Sequence, residues 1–186
     1  MSILRGIIRI ARFRADGLAQ FGDTIQAMSS SLAPLVAFPL VGALLEIGQG
    51  NWVIAVSDLL ASLVALLAPL VISETLARFW GVRAAWMRYA VASNWAQWAM
   101  PMALLALLAA LFVMGRVGVA VTPAVIGAGA IGVVLYGVAL HWFLARAALG
   151  LSRLRAVLMV LACDVTTVLL VLGPRLLALH LGAPGG

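Results

Sequence analysis

An aspartate, Asp164, stands near the middle of the hydrophobic run AVLMVLACDVTTVLLVL, Ala156 to Leu172. A run of that length suits a membrane-spanning helix, and an ionisable group at mid-depth in lipid costs at least about 2.5 kcal/mol. The acid must therefore face protein, water or a partner. It lies nine residues beyond Arg155, which at 1.5 Å per residue is about 13 Å deep in a hydrocarbon core about 30 Å thick. One duty open to it is that of a proton or cation site. The other is structural, with hydrogen bonds from Asn94, Gln97 or a tryptophan N–H on a neighbouring span, and it is favoured because a single acid makes a poor relay.

Two further acids, Glu46 and Asp58, flank the uncharged stretch Gly48 to Asn51. Ser62 stands one helical turn beyond Asp58 and shares its face, so these groups are candidates for a small cation site near the opposite membrane surface. Simple solvation is the plainer reading of acids so close to water. Glu74 is expected to pair with Arg78 at i+4, and His141, beside Trp142, reads as an interfacial histidine. The chain carries one cysteine, Cys163, inside a hydrophobic run, so neither an intrachain disulfide nor a cysteine-based metal site is expected. No HExxH, GxSxG, P-loop or dinucleotide fingerprint occurs, and neither an enzyme activity nor a cofactor is expected.

The elements that must position these groups follow from composition. Of 186 residues, 65% are hydrophobic and 10% charged, against about a quarter charged in soluble domains. The pattern is that of a single all-α membrane domain, a bundle of five transmembrane helices. Spans are expected at about 32–47, 52–73, 90–114, 119–143 and 156–172, followed by a short exoplasmic tail over 174–186. Pro34, Pro39, Pro69 and Pro101 fall within the first three and predict kinks. A ribbon of small residues in the fourth, Ala120, Ala124, Ala128 and Gly132, would let a neighbouring helix or a second copy approach closely.

Residues 1–31 form a cytoplasmic or interfacial segment. Arg5, Arg9, Arg12 and Asp16 share one helical face and Ile3, Leu4, Ile7, Ile10 and Ala11 the other, which predicts an amphipathic helix lying on the membrane and ending near Phe13. The cluster Ser29 to Ser31 is expected to cap the next helix. Arginine interrupts every early apolar run, so no cleavable signal peptide is expected. All twelve basic residues are arginines. Five crossings leave Arg116 and Arg175 on one side and the other ten on the side of the N-terminus. That asymmetry predicts a cytoplasmic N-terminus, an exoplasmic C-terminus and contact with anionic headgroups at the cytoplasmic face of a cell membrane, the inner membrane in a bacterial cell. It also accounts for the net charge of +6 without nucleic acid.

The stretch Leu135 to Leu161, LYGVALHWFLARAALGLSRLRAVLMVL, resembles the penultimate-to-last helix region of Yip1-type membrane proteins, through Tyr136, Leu149, Gly150, Ser152 and Ala156. The five-helix layout with a cytoplasmic N-terminus is similar as well. The resemblance implies a bacterial relative that organises the bilayer or scaffolds partner proteins without catalysis. A small transporter or channel, with Asp164 and Asp58 along a path between Pro-kinked helices, is the alternative, and an accessory subunit of a larger membrane complex is a third.

Overall fold

A computed structural model describes residues 2–181. Among these residues the backbone is helical apart from short turns, and no strand is present. The order is α1 (Ile3–Ala11), a 3-10 turn (Ala15–Gln20), α2 (Ile25–Gly48), α3 (Trp52–Phe79), α4 (Arg83–Ala96), α5 (Ala99–Arg116), α6 (Pro123–Leu149) and α7 (Arg153–Leu181). Five segments are long and apolar enough to cross a membrane: α2, α3, α4 with α5, α6, and α7 as far as Gly173.

The helices outrun the expected spans wherever a span was ended at its first charge. The connection expected over 74–88 is the last turns of α3, a tight turn and the first turns of α4. Glu74 holds Arg78 at 2.6 Å and Arg83 at 3.0 Å there, so the charges extend the helices rather than stop them. Helix α2 starts at Thr24, whose hydroxyl caps Ala27 N–H at 3.2 Å. The serines expected to cap it lie inside it, where Ser29 and Ser31 donate back to the carbonyls of Ile25 and Met28. At the other end of the chain α7 continues past Pro174 to Leu181, where a tail was expected. The remainder of that tail, 182–186, lies outside the described residues.

The expected third span is two helices. Pro101 has no N–H, and its ring clashes with the carbonyl four residues back, that of Gln97. The chain breaks at Gln97 and Trp98, and the Gln97 carbonyl accepts from Met100 N–H at 3.1 Å instead. The turn from α6 to α7 is built by Gly150 and Ser152. Gly150 takes the left-handed conformation, φ +66°, that a side chain resists. Ser152 then caps α7 at Arg155 N–H, and Ala156 is fully buried.

Burial is concentrated at the arginine-rich end. Ile7, Ile10, Leu18, Phe21, Tyr89 to Ala96, Leu140 to Leu149 and Ala156 to Cys163 contribute to one cluster. In the other half, the described residues that are buried are Ala43, Ala55 and Leu66. Helix α1 joins the cluster: Ile7 and Ile10 are buried, while Ile3 and Leu4, expected on the same apolar face, are exposed. The chain leaves α1 at Ala11, two residues before the expected end, and reverses at Phe13, whose φ of +56° is unusual for a bulky residue. Edge-to-face contacts with Tyr136 and Phe143, and the Tyr136 hydroxyl donating to the Ala11 carbonyl at 2.9 Å, hold that reversal.

Candidate functional site

Asp164 belongs to a stripe on α7, with Val160, Cys163, Thr167 and Val168, at the spacing that shares one helical face. Opposite stands a second stripe, Tyr89 and Ser93 on α4, continued through the break by Gln97 and Met100. Helix α3 supplies Ala65 and Pro69, and α6 supplies His141. The four rows line a half-open cavity of about 420 Å³. Its walls are apolar, but carboxylate, imidazole, amide and hydroxyl groups converge on it. Pro69 has no N–H to give the carbonyl of Ala65, which leaves a backbone acceptor on the α3 wall without its i+4 donor.

The Asp164 Oδ1 and His141 Nδ1 atoms are 3.7 Å apart, and each side chain is 38% exposed. That separation is longer than a direct hydrogen bond, and a modest approach or a water between the groups would close it. Several helical hydroxyls give their proton back to their own helix, as Ser29, Ser62 and Thr75 do. Thr167 does not: its oxygen is buried, faces this cavity row and has no partner. The Cys163 thiol lies 3.7 Å from the carbonyl of Pro69, a second residue of the cavity wall.

The other residues singled out from the sequence fall in three places. Gln97 joins Asp164 at the cavity. Asn94, 1% exposed, faces the other way and donates to Ser31 Oγ at 2.9 Å, tying α4 to α2. Glu46 and Asp58 flank the α2–α3 turn and line no wall of this cavity. One Glu46 carboxylate oxygen is buried without a hydrogen-bond partner. The Asp58 backbone carbonyl accepts from Ser62 at 2.7 Å, so Ser62 serves its own helix rather than a shared pocket. Of the N-terminal arginines, Arg9 pairs with Asp16 at 3.2 Å, as Arg14 does at 3.0 Å, whereas Arg5 and Arg12 make no ion pair among the described residues.

His141 is the partner that sequence reasoning missed. A fourth span ending at 143 puts it at the surface. Because α6 runs to Leu149, His141 lies about 12 Å inside its helix end, and Asp164 about 16 Å inside the start of α7. In a hairpin closed by the short turn 150–152, those two depths are within one helical turn of each other. The turn signal, Gly150 followed by Ser152, was therefore enough to find the pair. Tyr89, Ser93 and Thr167 carry no comparable signal. Comparison with family models, with curated proteins and with solved structures gave no match.

Proposed function

We propose that this chain is a non-catalytic, multi-pass protein of the cell membrane, with its N-terminus and arginine-rich turns in the cytoplasm, that binds and releases a proton between Asp164 and His141. The observation that carries the reading is the cavity of about 420 Å³ on which the Asp164 carboxylate, the His141 imidazole and the unpartnered Thr167 hydroxyl converge. An acid kept for structure alone would be tied dry to a neighbour. Protonated His141 can pass its Nδ1 proton to Asp164, across the gap or through one water, leaving neutral imidazole and carboxylic acid. The pair thus changes from two opposite charges to none. Asp58 stands on the same face of α3 as the cavity-lining Ala65 and Pro69, toward the opposite end of the bundle.

Proteoliposomes with an enclosed pH dye test this under a potassium diffusion potential. The expected result is proton entry above that of empty vesicles, abolished by Asp164→Asn and slowed by Asp58→Asn. Equal flux in Asp164→Asn and the unaltered chain, or none in either, contradicts it.

The Yip1-type reading, a scaffold or accessory subunit working through its basic face, has its own support in the interlocked arginine-rich end. Arg88 holds Asp23 at 3.0 Å, and Glu74 gathers Arg78 and Arg83. It predicts a stoichiometric membrane partner on purification and full partner binding by Asp164→Asn.

A further inference from the structure

A second cavity, also of about 420 Å³, lies between α1 and α5. Ile7, Ile8 and Ala11 form one wall, Met102 and Ala103 the other, and Arg12 is the charged residue at it. Ile8 and Met102 are 45% and 59% exposed, so the groove opens outward. It opens beside a helix, α5, whose Leu104, Leu105 and Leu108 are also exposed and which is apolar enough to lie in a bilayer. The geometry points to a binding site for one anionic phospholipid, its acyl chain in the groove and its phosphate on Arg12.

Three observations carry this. First, Arg12 is held by no carboxylate among the described residues, while its neighbours Arg9 and Arg14 both hold Asp16. A guanidinium above an apolar floor complements an anionic head on a hydrocarbon tail. Second, the floor is built, not incidental: the Tyr136 hydroxyl on the Ala11 carbonyl and the Phe13 ring contacts fix the end of α1 over the bundle. Third, a second copy of the chain would bring its own arginine-rich end to the same level, where like charges repel. The inference needs the spans to sit in a bilayer with the end of α1, where the Ala11 carbonyl meets Tyr136, at headgroup level.

The full chain in detergent, supplied with equal phosphatidylglycerol and phosphatidylcholine, tests it by counting retained lipid in native mass spectrometry. One phosphatidylglycerol is expected to be kept in preference to phosphatidylcholine. Arg12→Gln should lower that preference about fivefold, while Arg5→Gln, off the groove, changes it less than about twofold. Ala103→Trp, which fills the groove, should release both lipids. Equal losses in Arg5→Gln and Arg12→Gln would mean diffuse surface attraction and overturn the site. So would undiminished retention in Ala103→Trp, the absence of any preference in the unaltered chain, or a dimer found in place of the lipid.

Discussion

The two halves of the bundle are built differently. At the arginine-rich end the helices are tied by polar links: Asn94 to Ser31, Trp86 N–H to Ser73 Oγ at 3.1 Å, Trp142 N–H to the Arg153 carbonyl, and Arg88 to Asp23. At the opposite end Leu44, Leu45, Phe112, Val113 and Ile131 are exposed, and among the described residues little besides Ala43 and Ala55 is buried. Lipid tails are as apolar as leucine, so in a bilayer apolar burial by itself draws helices together weakly. Small residues, hydrogen bonds and shape do it instead. The polar half is the frame, and the apolar half spreads into lipid around it. The Asp164 cavity lies along the framed stretch of α4, where Tyr89 and Ser93 share a helix with Asn94, and a proton site needs walls that hold their spacing.

That contrast can be broken most forcefully at Gly17. A Cβ there would stand 2.9 Å from the Arg9 side chain and 3.0 Å from the Gly6 carbonyl, so Gly17→Leu should detach α1 at an overpacking cost of about 1–3 kcal/mol. Trypsin cleavage after Arg12 or Arg14 is expected to accelerate by at least about tenfold; an unchanged rate would mean that α1 is not held by this close approach. Next comes Asn94→Ala, which strips the buried link between α4 and α2. A loss of about 0.6–1.7 kcal/mol in detergent unfolding is expected, the range for hydrogen bonds between membrane helices. The smallest effect belongs to the spread half. Phe112→Ala, at a side chain 69% exposed, should change stability by less than about 0.5 kcal/mol, because lipid replaces what the ring covered. A loss there as large as that of Asn94→Ala would erase the distinction between the halves.

Much of the frame is legible in the sequence, because a run of about twenty apolar residues has few fates other than crossing a bilayer. The ends of the helices are less so: charge marks where lipid stops, whereas the Glu74–Arg78 and Glu74–Arg83 pairs keep the backbone helical beyond that point. The break at Gln97 is caused by a proline four residues later, a signal that reads as a kink at the wrong place. The small-residue ribbon Ala120 to Gly132 is exposed and does not pack within the bundle. It is Gly129 and Gly137 that face α5, where an added Cβ would press on Leu107 and Met100, while Gly132 has open space around it. Asp164 stood out from composition alone. Its partner did not, because a histidine near a tryptophan at a supposed span end has an ordinary explanation until the helix is known to run on to Leu149.

The most direct measurement is the infrared absorption of the Asp164 carboxyl in nanodiscs, followed against pH in H₂O and D₂O, with Asp164→Asn as the reference. Expected is a carboxylic-acid band that appears as the pH falls, shifts at once in D₂O, and moves its midpoint in His141→Phe. A carboxyl band that neither titrates nor exchanges, or whose midpoint is untouched by His141→Phe, would contradict a wet proton site shared by the two residues.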